Sequence, residues 1–260
     1  NYLKETSSNE KFQRDYLFDI SPPTDDRPFY HNFFKLGKMV ELHRIMGKNW
    51  QPFNDPGFIM LLVFFQSIFL CAVFILLPLI SRYSLPDSGI AYFLFIGIAY
   101  MFVEINLIQN FVRVFGNITH SAAFVILVML TSSGLGSFLS GKFSLKTAFT
   151  AIITSTTLLY FFMARIMSFV MGFGIFWSAA ASAILITPIA FFMGMPFPKK
   201  ICKTEKRNIP WAFAVNGAAS VFSSVAALIT ALFFGFSATL GLASAFYAAA
   251  WIISSKKRLR

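Results

Sequence analysis

Glu104 is the one acid of this 260-residue chain that falls inside a long apolar run. The run reads GIAYFLFIGIAYMFVEINLIQNFVRVFG, residues 89–116, and the other acids lie outside such runs. A charged side chain at mid-bilayer costs about 2.5–3.5 kcal/mol or more, so it implies a partner or a purpose. Two roles fit. Glu104 is either a buried hydrogen-bonding residue, held neutral by a neighbour, or a proton, cation or substrate site. No second acid shares the spans, which gives an ion-coupling relay little to build on. At about 100° per residue, Glu104 shares a helix face with Gly97 and roughly with Tyr100. Asn106, Gln109, Asn110 and Arg113 gather on the opposite face. Glu104 is therefore expected to find its partner on another helix.

The other reactive side chains are sparse. His120 opens the next apolar run, ITHSAAFVILVMLTSSGLGSFLSG, without a His or Cys at metal-ligand spacing, so no metal site is expected. Cys71 lies in an apolar segment and Cys202 in a basic loop. Two isolated cysteines without a CxxC give neither a metal site nor a disulfide framework, and Cys71 reads as a small core hydrophobe. Ser133, Gly134, Ser137 and Gly141 form a small-residue stripe, as do Gly217, Ser220, Ser224 and Ala227. Such stripes let helix backbones approach closely. Asn216 can clamp an adjacent helix or a broken backbone such as Gly194-Met195-Pro196-Phe197-Pro198, a structural reading that includes a hinge or gating role for Gly194, Pro196 and Pro198.

The elements that would position these residues follow from composition. Hydrophobic residues make up 57% and charged residues 13% of the chain, against about 25% charged in soluble domains, and mean hydropathy is +0.67. The apolar runs are long enough to cross a bilayer at about 1.5 Å per residue. The chain reads as an all-α polytopic membrane protein of about seven spans. The spans are placed near residues 57–80, 89–112, 119–140, 145–163, 175–194, 211–234 and 236–255. Residues 164–174 read as an interfacial link with Gly breaks, Pro188 as a kink, and 195–210 as a basic loop. The net charge of +11 sits between apolar runs, where membrane topology and anionic lipid explain it without nucleic acid.

The first 56 residues are different. Residues 1–31 are polar and of mixed charge, the exit of a soluble domain or a linker, with an extended break at Ser21-Pro22-Pro23-Thr24. On residue type alone, a solvated loop whose Asp26 and Arg27 are free to pair elsewhere is about as well supported as a loop with a specific role. Over 32–49, Phe33, Leu36, Met39, Val40 and Met46 share one helical face and Lys38, Glu41, Arg44 and Lys48 the other, the pattern of a helix lying in the membrane interface over 32–56. Trp50 and Phe53 read as anchors and 81–88 as a turn. The chain starts at Asn1 without an initiator Met, so it is expected to be a piece of a longer polypeptide. With seven spans, the 195–210 loop and the basic tail 256–260 fall on one side and residues 1–56 on the other. Positive-inside logic puts the loop and tail in the cytoplasm. It also leaves Lys35, Lys38, Arg44 and Lys48 on the far side, so the side of the amino-terminal region stays open.

Four stretches in order, TDDRPFYHNFF, GIAYMFVEINLIQNFVRVFGNITHSAAFVILVMLTSSGLGSFLSGK, GMPFPKK and IPWAFAVNGAASVFSSVAALITALFFGFS, resemble the membrane-embedded spermidine synthase-like proteins of bacteria. The resemblance covers about 25–31 and most of 89–236. It implies a bacterial inner-membrane, multi-pass module that follows a Rossmann-type aminopropyltransferase- or methyltransferase-like domain. The positions it carries over are Asp25, Asp26, Arg27, Pro28 and Phe29 at the domain junction. In the membrane they are Glu104, Gln109, Gly116, Gly134, Gly136, Ser137, Gly194, Pro196, Phe197, Pro198, Trp211, Asn216, Gly217 and Ser220. Glu104, Gln109, Asn216 and Trp211 are the implied intramembrane polar site. The soluble relatives bind S-adenosylmethionine or its decarboxylated form on a glycine-rich strand-to-helix turn followed by an acid. The glycines of GLGSFLSG sit inside an apolar run with no such acid after them. No cofactor and no aminopropyl-transfer chemistry is expected within these residues, and an S-adenosylmethionine-type cofactor belongs to the upstream domain.

Three functions compete, in this order. The chain anchors a spermidine synthase-like domain and feeds it a hydrophobic or polyamine substrate. It is a transporter-like module over 89–255 that moves a small, cationic solute past Glu104, with the Gly194–Pro198 break as hinge. It is a structural subunit of a membrane assembly, packed on lipid, on other subunits or on a second copy.

Overall fold

The computed structural model describes residues 12–13, 15–29, 32–46, 56–73, 77, 80 and 89–256. Among these residues every regular element is helical. After a 3-10 turn at Leu36–Lys38, α1 covers Met39–Met46 and α2 covers Pro56–Cys71. The hairpin that contains Glu104 is α3, Ile90–Phe115, and α4, Ile118–Phe138. Then follow α5, Leu145–Met171, α6, Ile175–Met193, the short α7, Pro196–Ile201, and the long pair α8, Ile209–Phe234, and α9, Phe236–Lys256. Six of these stretches are long and apolar enough to cross a membrane. Within the described residues α2 is apolar but shorter, so six long spans stand where about seven were expected.

The bundle is built around α3. It packs against α4, α5, α8 and α9 at once. Its buried residues, among them Tyr92, Ile96, Ala99, Val103, Leu107 and Phe111, run round the whole helix rather than along one stripe, the pattern of a central buried helix. The outer helices turn large apolar side chains outward, such as Leu127, Phe138, Phe161, Phe176 and Phe234, as a lipid-facing surface requires.

Local chemistry sets the helix ends. Gly116 takes φ +68 after α3, and Asn117 then caps α4 by accepting the Thr119 N–H at 2.7 Å. Ser144 caps α5 through the Thr147 N–H. The sequence reading broke the fifth helix too early. The stretch 164–171 continues α5, because Met163, Met167 and Val170 keep one buried helical stripe and only Gly172–Gly174 interrupts it. Pro188 lies inside α6 without ending it.

Residues 195–210 are also more structured than a loop. Pro196 starts α7 at its first turn, where the missing N–H costs nothing. In the interfacial segment, the side chains that pack inward are Phe34 and Leu42, whereas Val40 is exposed, so the inward face lies off the one the wheel gave. Phe34 sits against Phe58 of α2 and Phe233 of α8, which fixes this segment at the carboxyl end of α8. Trp50, Phe53, Lys48 and the turn 81–88 lie outside the described residues.

The bundle therefore has two distinct ends. One holds residues 19–34, the end of α3, the end of α8 and the start of α9. The other holds the start of α3, α7, the 195–208 segment and the start of α8.

Candidate functional site

Glu104 projects from the middle of α3. Two turns earlier on the same face, Gly97 meets α8. A methyl built on Gly97 would lie 2.9 Å from both the Asn216 carbonyl and the Asn216 Oδ1, and 3.2 Å from Ala219. The Tyr100 hydroxyl turns toward Ser133 of α4. Glu104 thus looks into the seam between α4 and α8, which both pack on α3. It is half-buried, and among the described residues its carboxyl makes no hydrogen bond and no ion pair. Its electrostatic neighbour is the Tyr100 hydroxyl. No group of three His, Cys, Asp or Glu among the described residues could hold a metal.

Three of the four polar residues on the opposite face of α3 are engaged. Asn106 donates its Nδ2–H to the Phe236 carbonyl at 2.7 Å, and Asn110 donates to the Asn106 carbonyl at 3.0 Å. Arg113 bonds the Asp25 carbonyl, lies 3.8 Å from the Asp25 carboxylate, and covers the Phe236 ring at 6.0 Å. Gln109 is half-buried and joins none of these bonds.

These contacts lead to the junction motif. Asp26 Oδ1 accepts from both the backbone N–H and the hydroxyl of Ser237, each at 2.8 Å, and the Asp26 carbonyl accepts the Phe236 N–H at 3.0 Å. Asp26 is therefore the amino-terminal cap of α9, supplied from 211 residues away. Arg27 donates Nε–H to the Leu232 carbonyl at the end of α8 at 3.3 Å and pairs with Asp19 at 3.1 Å. Thr24 and Arg27 close a turn by exchanging backbone bonds of 3.0 and 3.3 Å. Phe29 meets Phe236 edge-on at 5.7 Å. Gly235 makes room for the clasp: its φ is +93, and a methyl there would lie 2.0 Å from Asp26 Oδ2. Burial pushes the Asp19 carboxyl up, but the Ser21 hydroxyl, the Ser21 N–H and Arg27 together hold it below its usual range. Asp26 and Arg27 are thus pinned rather than solvated, which decides between the two readings that residue type left open.

The Gly194–Pro198 break is a packed corner. A methyl on Gly194 would lie 2.0 Å from the Ser133 carbonyl, and one on Gly136 would lie 1.8 Å from the Phe191 carbonyl. Backbones of α4 and α6 therefore touch, as small residues allow. Gly134 and Gly141 meet nothing within 4 Å, so the contact row of α4 lies beside the stripe read from the sequence. It approaches α6 rather than bringing a partner to Glu104. Gly217 likewise stands in open space; of its stripe Ala227 is buried, and α8 otherwise packs through Val215, Ala219 and Ser223. At the corner itself, Tyr92 donates its hydroxyl to the Pro196 carbonyl at 3.0 Å, and Phe197 packs between Phe93 and Phe213.

The four residues of the expected intramembrane site are strung along the bundle. Trp211 lies at the start of α8 and lines one cavity with Ile90 and Phe93, about 18 Å along the axis from Glu104 at about 1.5 Å per residue. Asn216 sits at the level of Gly97, and Gln109 lies beyond Glu104 toward the junction. No hydrogen bond joins any two of them among the described residues. His120 is exposed at the start of α4, Cys202 is exposed, and Cys71 is buried with its thiol 3.8 Å from the Ala218 carbonyl. Sequence reasoning missed Gly235 and the capping role of Asp26. A glycine between two apolar runs was the only local signal, because the partners of Asp26 are a backbone N–H and a serine far along the chain.

Helix count, apolar outer surface and buried central helix define the class: a multi-pass helical membrane protein. Comparison with family models, with curated proteins and with solved structures finds no match.

Proposed function

We propose that this chain is a membrane module that docks the polypeptide preceding it onto one end of a helix bundle, in the manner of the membrane part of a spermidine synthase-like protein. The observation that carries this reading is the Asp26 clasp. A linker without a docking role has no reason to cap the last helix and bond the last turn of the helix before it. The motif TDDRPF that carries the family resemblance is the segment so held, and it leads directly into α1 and α2. Among the described residues no glycine-rich nucleotide turn occurs: Gly134 and Gly136 are helical, and backbone of α6 fills the space at Gly136. Transferase chemistry with an S-adenosylmethionine-type donor is therefore assigned to the preceding polypeptide.

The test is the gene product itself. A glycine-rich strand–turn–helix followed by an acid, encoded ahead of Asn1, and donor-dependent aminopropyl or methyl transfer by the whole protein sustain the proposal. A gene whose coding sequence begins at Asn1 refutes it.

A second reading rests on Glu104. A carboxyl without a hydrogen bond in the α4–α8 seam suits passage of a small cationic solute. Glu104→Gln should then abolish uptake of that solute, with polyamines the first to try, in proteoliposomes, and unchanged uptake rejects it.

A further inference from the structure

The turn between α5 and α6 lies at the same end of the bundle as the Asp26 clasp, and it differs from its neighbours in having no polar rim. Residues 166–198 contain no Asp, Glu, Lys, Arg or His, so two helix arms and the turn that joins them pass without a charge. Every residue from Met171 to Trp177 is exposed, and apart from the Trp177 indole none has a polar side chain. Phe169 packs on Phe173 at 5.0 Å and Phe176 on Trp177 at 5.6 Å, so the tip carries two aromatic pairs. An apolar patch of this kind marks a contact surface.

Its height in the bundle follows from the helix pairs. Ser244 of α9 donates its hydroxyl to Thr156 of α5 at 2.8 Å, and Gly241 faces the Tyr160 ring. Counting along this antiparallel pair sets Phe236, the first residue of α9, level with Ala164. From there α5 climbs about 10 Å further at about 1.5 Å per residue. Asn106 of α3 bonds the Phe236 carbonyl, and α3 also climbs beyond that level, by about 13 Å. The apolar tip therefore stands about level with the α3–α4 turn, where Asn117 and His120 are exposed. Below it the outward faces of α5 and α6, with Phe161, Phe162 and Ile184, continue the lipid-facing surface.

We propose that the α5–α6 turn is a membrane-binding tip, seated among the lipid headgroups and upper acyl chains. The aromatic pairs suit that layer, where amphipathic rings gather. Backbone chemistry sets the depth. The protein itself closes the end of α5: the Gly172 N–H donates to the Phe169 carbonyl at 3.2 Å, and the Ser178 hydroxyl donates to the Val170 carbonyl at 2.8 Å. No side chain caps α6, so its opening N–H groups call for water or headgroup oxygens, which the hydrocarbon core does not supply. The tip thus lies about 5–10 Å into the boundary between headgroups and acyl chains. It is independent of the docking function above.

Tryptophan quenching in proteoliposomes tests this. The full chain is reconstituted in phosphatidylcholine whose acyl chains carry bromine either near the headgroup or near the terminal methyl, and iodide is the aqueous quencher. Trp177 is 66% exposed, so Trp177→Phe leaves the core intact, and the difference between wild type and this variant isolates the emission of Trp177. That emission should be lost mostly to the shallow bromines and less to the deep ones. Stronger quenching by iodide than by either bromolipid puts the tip in water and overturns the proposal. Emission that neither bromolipid nor iodide quenches means that protein covers the tip, a second copy included, and also overturns it. Stronger quenching by the deep bromines refutes the interfacial seat. A nitroxide at Phe173→Cys, in a Cys202→Ser background, repeats the test without tryptophan. It should collide more with dissolved oxygen than with a water-soluble nickel chelate, and the reverse order overturns the proposal.

Discussion

Replacing Asp26 by Ala tests the clasp directly. The side chain accepts two hydrogen bonds of 2.8 Å from Ser237 and places a carboxylate at the start of α9. Loss of a helix cap costs about 0.5–2 kcal/mol, and loss of a charge at a helix amino terminus costs about 0.3–1 kcal/mol more. A combined cost of about 2 kcal/mol raises the open fraction of the junction about thirtyfold. The readout is site-specific hydrogen–deuterium exchange at Phe236. Its N–H donates to the Asp26 backbone carbonyl at 3.0 Å, an acceptor that alanine retains, so faster exchange there reports opening of the whole junction rather than the trivial loss of one partner. Asp26→Asn keeps an oxygen acceptor and loses the charge, and should accelerate exchange only about fivefold. If Phe236 exchanges in Asp26→Ala at the wild-type rate, the clasp does not hold the segment and the docking argument falls with it.

Gly136→Ala and Gly194→Ala should each lower the thermal midpoint in detergent, by an amount matching about 1–3 kcal/mol of overpacking, while Gly134→Ala, which meets open space, should be neutral. Equal effects at all three positions would contradict the backbone contact of α4 with α6. Cys202 is exposed and Cys71 buried, so an impermeant maleimide should label only Cys202, and the positive-inside bias predicts labelling from the cytoplasmic side. A cysteine placed at Ser21 should then react from the opposite side. The reverse pattern would contradict the positive-inside assignment. Asp19 contributes a pH dependence of known sign. Its folded pKa is depressed, so its pairing with Arg27 is complete above the ordinary aspartate range near pH 4 and fades as pH falls through the lower folded value. Exchange at Phe236, corrected for the intrinsic rate, should rise in that acid window, and Asp19→Asn should abolish the rise.

The spans were legible because an uninterrupted apolar run of this length has few other uses in water or lipid. Boundaries were less so. ARIMSFVM looked like a link because Arg165 and the following glycines outweighed the buried spacing of Met163, Met167 and Val170. The wheel placed Glu104 and Gly97 on one face correctly, and that face does meet α8 at Asn216. It carried no information on axial level, which is why Asn216 sits beside Gly97 and not beside Glu104. Asp26 was the least legible of all. Local composition describes a charged loop well, and nothing in it encodes a helix start more than two hundred residues later.

That separation also orders events in time. At roughly 5–20 residues per second of synthesis, the 211 residues between Asp26 and Ser237 take about 10–40 s to follow. Through that interval Asp25 and Phe34 already have Arg113 and Phe58 to meet, but the Asp26 clasp has no helix to cap. The clasp closes when the final helix is in place. The Asp26–Ser237 contact therefore exists only in molecules whose last helix has been made.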